Sequence, residues 1–150
     1  MEKPILFMIV GLPGSGKTTK AKEIEQKYSA LRLTPDEWIL HLYGSNLDRK
    51  HTDALRDPIE QLQWQVAKRV LSLGRNVVID WGFWSASERE KYRHETEIIG
   101  AIAKIVFMDV PVDELWSRIS GRPESQEGTL HFTRAELDEW ASGFEPPAQE

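Results

Sequence analysis

The sequence predicts an α/β domain in which a parallel sheet of four or five strands is covered by helices on both faces. Three observations carry that prediction. Apolar runs of strand length alternate along the chain with helix-forming segments, the pattern of a parallel sheet. The first run leads directly into a glycine-rich loop that opens a helix. Acidic residues stand at the carboxyl ends of later runs, where open parallel sheets bind their ligands.

Ile5 to Val10 is a continuous apolar run of buried-strand type. Residues 11 to 18 then read Gly11-Leu12-Pro13-Gly14-Ser15-Gly16-Lys17-Thr18, a complete G-x-x-x-x-G-K-[ST] phosphate-binding loop. Thr19 to Tyr28 is rich in Lys, Glu, Ala and Gln, all good helix formers. Ala30 to Leu33 reads as a short strand. Thr34-Pro35-Asp36-Glu37 is an explicit helix start, with Thr34 as cap, Pro35 at the first helical position and Glu37 completing a capping box. That helix runs to about Tyr43, before Gly44-Ser45-Asn46.

Leu55, Ile59, Leu62, Val66, Val70 and Leu73 recur every three or four residues, and Trp64, Ala67 and Leu71 widen the stripe of a longer helix that ends at Gly74. Asn76 to Asp80 is a second buried-type strand with an acid at its end. Ser85 and Glu88 make another capping box, opening a polar helix to about Ile99. Ala101 to Met108 reads as a strand despite Lys104, followed by Asp109. Helices over 111–119 and 133–140 flank a Gly-, Pro- and Ser-containing loop, 120–130. Nothing after Trp140 reads as a strand, and no internal repeat is present.

At 150 residues the whole chain, 1–150, is expected to be one domain. The absence of cysteine excludes disulfides, thiolate metal sites and a cysteine nucleophile. Met1-Glu2-Lys3-Pro4 does not resemble a signal peptide, and no apolar stretch approaches the roughly 18 residues needed to span a bilayer. A cytoplasmic protein without membrane partners is expected. With a net charge of −5 and no basic run, the electrostatic footprint of a nucleic-acid binder is missing.

The loop predicts a nucleoside triphosphate ligand with Mg²⁺. Gly11, Pro13, Gly14, Ser15, Gly16, Lys17, Thr18 and Thr19 would cradle the phosphates, with backbone N–H groups turned inward at the positive end of a helix. Lys17 would reach the β- and γ-phosphates, and Thr18 would take a place on Mg²⁺. Phosphoryl transfer further needs a group that orients the attacking hydroxyl and cations that neutralise the moving phosphoryl. Asp36 is the candidate for the first role, although acids favour a first helical turn for dipole reasons alone. Asp80 would hold Mg²⁺ or touch the acceptor, or else cap the following turn. Trp81, Phe83 and Trp84, together with Trp38, would either wall an acceptor pocket or pack the top of the core. Arg89 would face the same cleft or make a surface ion pair. Arg118 and Arg122 share one helical face beside the 120–130 loop, as a lid over the triphosphate requires. His131 and Arg134 are weaker candidates, and the histidines at 41, 51 and 94 have no metal-ligand spacing.

Four segments together resemble the small P-loop kinases of the polynucleotide-kinase, zeta-toxin and chloramphenicol-phosphotransferase type, known also as AAA-family ATP-binding proteins. They are Gly-Leu-Pro-Gly-Ser-Gly-Lys-Thr-Thr at 11–19, Leu-Thr-Pro-Asp-Glu-Trp at 33–38, Val-Val-Ile-Asp-Trp-Gly-Phe-Trp-Ser at 77–85 and Leu-Trp-Ser-Arg-Ile-Ser-Gly-Arg at 115–122. Thr-Arg-Ala-Glu-Leu at 133–137 and Gly-Phe-Glu-Pro-Pro at 143–147 extend the likeness over almost the whole chain. The resemblance implies a nucleoside-kinase-like P-loop NTPase fold with an Arg-containing lid at about 118–131, ATP with Mg²⁺ as donor, Asp36 as general base and Arg118 and Arg122 as lid arginines. It does not name the acceptor. Polynucleotide kinases carry an arginine shortly after the catalytic Asp, whereas here Trp38, Ile39 and Leu40 follow. The expected acceptor is therefore a small molecule, such as an antibiotic, a nucleoside or a sugar derivative. A nucleic-acid 5′-hydroxyl end is the alternative acceptor, and a slow ATP-hydrolysing switch is the alternative of another class.

Overall fold

The computed structural model describes residues 2–44, 49–121 and 133–148. Along the chain run β1 (Ile5–Val10), α1 (Lys17–Lys27), β2 (Leu31–Leu33), α2 (Pro35–Tyr43), α3 (Arg49–Ser72), β3 (Val77–Gly82), α4 (Ala86–Ile98), β4 (Ile102–Phe107), α5 (Val112–Ser120) and α6 (Arg134–Gly143). Among the described residues the strands form one parallel four-stranded sheet in the order β2-β3-β1-β4. A fifth strand, left open by the sequence, is not found among them.

β1 lies at the centre because every residue from Leu6 to Val10 is buried and apolar, so both faces of the strand need cover. Alternation along the sheet sorts the two cores. Leu6, Met8 and Val10 face α3 with Val77, Ile79, Trp64, Ala67 and Leu71, whereas Phe7, Ile9 and Val78 face α1 through Ala21 and Ile24. A third cluster joins α5 and α6 through Leu115, Ile119 and Leu137, under Leu12 of the glycine-rich loop. The loop therefore rests on packed side chains.

Three expectations are corrected. The buried stripe of α3 runs through Ile59, Gln63, Trp64, Ala67 and Leu71, while Leu62 and Leu73 are 57% and 62% exposed. The stripe is rotated because Gln63, polar and so left out of the apolar pattern, is drawn inward to accept a hydrogen bond from Trp81 Nε1 at 3.0 Å. The capping box at α2 does not form. Thr34 is the N-cap residue but makes no side-chain capping bond, a loss of about 1 kcal/mol by the usual scale, because Arg32 and Asp80 engage its hydroxyl. A full box appears instead at Thr133 and Glu136, opening α6. Ser85 does cap α4 by accepting from Glu88 N at 3.1 Å. Finally, Trp81 and Gly82 belong to β3 itself rather than to the turn beyond it.

The end of β3 approaches β1 closely. Gly82 has φ +93°, and an added Cβ would sit 2.9 Å from Trp84 Nε1 and 3.2 Å from the Gly11 carbonyl oxygen. Gly74, after α3, has a similar φ of +82° but open space around it. Gly82→Ala is therefore expected to lower unfolding stability by ~2 kcal/mol or more, and Gly74→Ala by ~1 kcal/mol from backbone strain alone. Urea titrations of the two variants measure the difference, which isolates the crowding at Gly82.

Candidate active site

The loop between β1 and α1 is held from several sides. Ser15 Oγ donates to the Leu12 carbonyl at 2.7 Å, and Lys17 Nζ donates to the same oxygen at 2.9 Å. Trp84 Nε1 donates to the Gly11 carbonyl at 3.2 Å, with its ring against Trp140. Gly14 and Gly16 adopt positive φ, which turns the backbone into the cup that a phosphate needs. Thr19, in the first turn of α1, lines the outer wall of this cup.

At the centre stands Asp80, 6% exposed near the end of β3. Its Oδ2 accepts from Thr18 Oγ1 at 3.0 Å and from Thr34 Oγ1 at 3.1 Å. Its Oδ1 is buried with no hydrogen-bond partner among the described residues. Burial pushes its pKa up to about 6, against the opposing pull of the Thr18 hydrogen bond, the Lys17 charge and the Thr34 hydrogen bond, while Asp36 raises it further. The sequence-predicted Lys17, Thr18, Asp36 and Asp80 thus converge on one electrostatic cluster. A carboxylate oxygen left bare beside a P-loop hydroxyl is a donor set suited to Mg²⁺, a hard cation that takes oxygen ligands. Thr18 and Asp80 fit that ion.

Asp36, in the first turn of α2, accepts an ion-paired hydrogen bond from Arg56 Nη2 on α3. Sequence reasoning missed Arg56, since nothing local marks a residue 20 positions away as the partner of Asp36. Around this pair lie further acids. Glu60, one turn beyond Arg56, has its pKa pushed up to about 8 by burial and by the charges of Glu88, Asp57 and Asp36, with Arg56 pulling it down.

Other predicted residues go elsewhere. Trp81 and Phe83 are buried and stack on each other at 5.6 Å, with Tyr92 set edge-on to both and Trp64 edge-on to Trp81, so of the two roles the sequence left open they take the packing one. Trp38 is half-buried against the same core. Arg89 is not at the surface: it is fully buried and donates to the Phe83 carbonyl at 2.6 Å, which helps hold the turn after β3. Arg134 pairs with Asp113 at 2.7 Å and Asp138 at 3.1 Å, joining α6 to α5. Asp109 is exposed after β4. Arg118 is placed over the loop, with Nη1 donating to the Gly14 carbonyl at 3.4 Å and Nη2 to Glu114 at 2.9 Å. Arg122, His131 and most of the expected lid lie outside the described residues.

The strand order divides the surroundings of the loop. β3 and β2, which carry Asp80 and lead to Asp36, flank β1 on one side, and β4 flanks it on the other. On the β4 side an open groove of about 380 Å³ is lined by Gly16, Thr19, Lys20, Met108, Val110 and Arg118, among others.

Residues 6–147 match a family described as an AAA domain, AAA_33. The chain belongs to that family. Solved structures with a similar fold include kinases. A chain in the structure of the Pnkp1/Rnl/Hen1 RNA repair complex aligns with TM-score 0.76 and 24% identity over 95% of this chain, which spans only 44% of that one. The Mycobacterium tuberculosis APS kinase, solved with AMPPNP and APS, aligns with TM-score 0.61 and 22% identity, covering 81% of this chain and 71% of its own. A gluconokinase from Sinorhizobium meliloti 1021 aligns with TM-score 0.65 and 18% identity over 100% of this chain and 80% of its own. No curated protein matches. The family and these likenesses establish the P-loop kinase fold. No helix among the described residues is long and apolar enough to cross a membrane.

Burial of the acids sets a pH dependence. The pKa of Glu60 is raised from 4.5 to about 8 on folding, so the folded state binds its proton more tightly and the associated stability is lost as pH rises from about 4.5 to 8. Glu60→Gln is expected to flatten that decline, leaving the variant more stable than wild type at pH 8 and little changed at pH 4.5. Urea midpoints at the two pH values check this.

Proposed function

We propose that the protein is an ATP- and Mg²⁺-dependent kinase that transfers the γ-phosphoryl group to a hydroxyl of a small molecule. The observation that carries this reading is the convergence of Lys17, Thr18, Asp80 and Asp36 on one side of the phosphate loop. A bare NTP-hydrolysing switch has no need of a second carboxylate held by its own arginine beside the metal position.

ATP would bind with its phosphates in the loop amides and its nucleoside in the groove on the β4 side, which leaves the β2–β3 side for the acceptor. Lys17, released from the Leu12 carbonyl, would neutralise the β- and γ-phosphates. Mg²⁺, held by Thr18 and Asp80, would supply charge neutralisation across the phosphates. Asp36 would orient the acceptor hydroxyl and take its proton, while the new O–P bond forms and the bond between Pγ and the bridging β–γ oxygen breaks to release ADP. Arg118, already lying over Gly14, and Arg122 would close on the triphosphate as lid residues.

The electrostatics of the acceptor side offer nothing that draws in a polyanion. Asp36, Asp57 and Glu88 interact there with Arg56, Arg89 and Lys91, and Glu60 holds its proton up to about pH 8, so no excess of positive charge is left. Trp38 would offer an apolar or sugar-facing edge, whereas Trp81, Phe83, Trp84 and Arg89 would support the site by packing and by holding the loop.

The test is a transfer screen with γ-labelled ATP and Mg²⁺ against pooled nucleosides, sugars, aminoglycosides, other antibiotics and 5′-hydroxyl oligonucleotides. Label should appear in one small-molecule pool and be lost in Asp36→Ala by a factor of at least ~100, with ATP affinity nearly unchanged. Lys17→Ala should instead lose nucleotide binding. Label in the oligonucleotide pool would replace the small acceptor with a nucleic-acid end. Slow phosphate release, equal in wild type and Asp36→Ala with no pool labelled, would refute the kinase and leave the switch.

A further inference from the structure

The cap missing from α2 points to a residue that acts on the metal site from outside it. Thr34 has the extended backbone of an N-cap, φ −116° and ψ 106°, yet its hydroxyl caps nothing. Glu37, the other half of the expected box, accepts instead from Arg32 Nη1 at 2.8 Å. Both halves are drawn into one chain of contacts. Glu25 and Glu37 hold the Arg32 guanidinium on β2, Arg32 Nη1 donates to Thr34 Oγ1 at 2.7 Å, and Thr34 Oγ1 donates to Asp80 Oδ2 at 3.1 Å.

The direction of these bonds is fixed by chemistry. A guanidinium has only donors, and a hydroxyl has one proton. The Asp80 carboxylate accepts, so the Thr34 hydroxyl sends its one proton there, while Arg32 fixes that hydroxyl by donating to a lone pair of the same oxygen. Thr18 donates to the same carboxylate oxygen at 3.0 Å, so Oδ2 is saturated and Oδ1 is the oxygen left without a partner among the described residues. We propose that Arg32 is a positioning residue for the nucleotide-associated cation: acting through Thr34, it locks the Asp80 carboxylate so that one oxygen is committed to the protein and the other is presented to the metal. The inference rests on the reading of Thr18 and Asp80 as the Mg²⁺ residues. Outer partners of this kind typically govern metal affinity by 10- to 100-fold. A purely structural Arg32, tying β2 to α1 and α2, would leave that affinity alone.

The experiment titrates Mn²⁺, as an EPR-visible substitute for Mg²⁺, into the full chain saturated with a non-hydrolysable ATP analogue, and separately measures analogue affinity without metal. Arg32→Met and Thr34→Val should each weaken Mn²⁺ by about tenfold or more. Arg32→Lys and Thr34→Ser, which keep the donor and the hydroxyl, should retain most of the affinity. Metal-free analogue binding should not change, and the double variant Arg32→Met/Thr34→Val should bind Mn²⁺ no worse than Thr34→Val, because Arg32 acts only through that hydroxyl. Should Arg32→Met not fold, the nearly isosteric Thr34→Val and its Ser control still decide the matter. Wild-type Mn²⁺ affinity in Thr34→Val, or additive losses in the double variant, would overturn the proposal while leaving the metal reading intact. A wild-type protein that binds no Mn²⁺ with the analogue would remove the metal reading, and the positioning role with it.

Discussion

The Asp80 carboxylate, buried between two threonine hydroxyls, is the joint on which the architecture turns. One hydroxyl comes from the first turn of α1 and the other from the junction of β2 and α2, while Asp80 itself belongs to the strand between them. A buried carboxylate with one oxygen unpartnered is costly, and burial accordingly raises its pKa to about 6. Two charge-assisted hydrogen bonds and a nearby lysine offset part of that cost. The remainder is the kind of local conflict that folds retain where a ligand resolves it.

From this joint the sheet order assigns work to each side of the phosphate loop. Because β1 is central and β3 and β4 flank it, a ligand in the loop faces acids on one side and an open groove under Arg118 on the other. The loop can hold this position because it is supported from several directions. Leu12 is packed over α5 and α6, and Trp84 is bonded to Gly11 while its backbone carbonyl accepts from Glu145 N at 2.7 Å, which ties in the carboxyl-terminal segment. Buried Arg89 clamps the turn between β3 and α4. Aromatic residues after the third strand thus act as scaffold, and the polar chemistry is left to the strand ends.

What could be read from the sequence was what depends on short-range pattern. The β1 run, the phosphate loop, the α1 composition and the apolar run leading to Asp80 are all local signals, and the four strands follow from them and from two further apolar runs. The errors share another cause. The Thr34 box was written correctly in local terms, but a long-range partner, Asp80, competes successfully for the hydroxyl, and Arg32 takes the glutamate. Gln63 turns inward for Trp81, and this rotates the stripe of α3. Arg56 meets Asp36 across 20 residues, a pairing that no spacing announces. Arg89 reads as a cleft or surface cation because sequence cannot tell a charge exposed to water from one buried against a carbonyl.

The most direct test of the account is calorimetric titration of ATP with and without Mg²⁺ into wild type and Asp80→Asn. The account predicts that Mg²⁺ tightens ATP binding to wild type, that this gain is lost in Asp80→Asn, and that metal-free binding through the loop is similar in both. An Asp80→Asn protein that keeps the full Mg²⁺-dependent gain would contradict the assignment of Asp80 as the carboxylate on which the site depends.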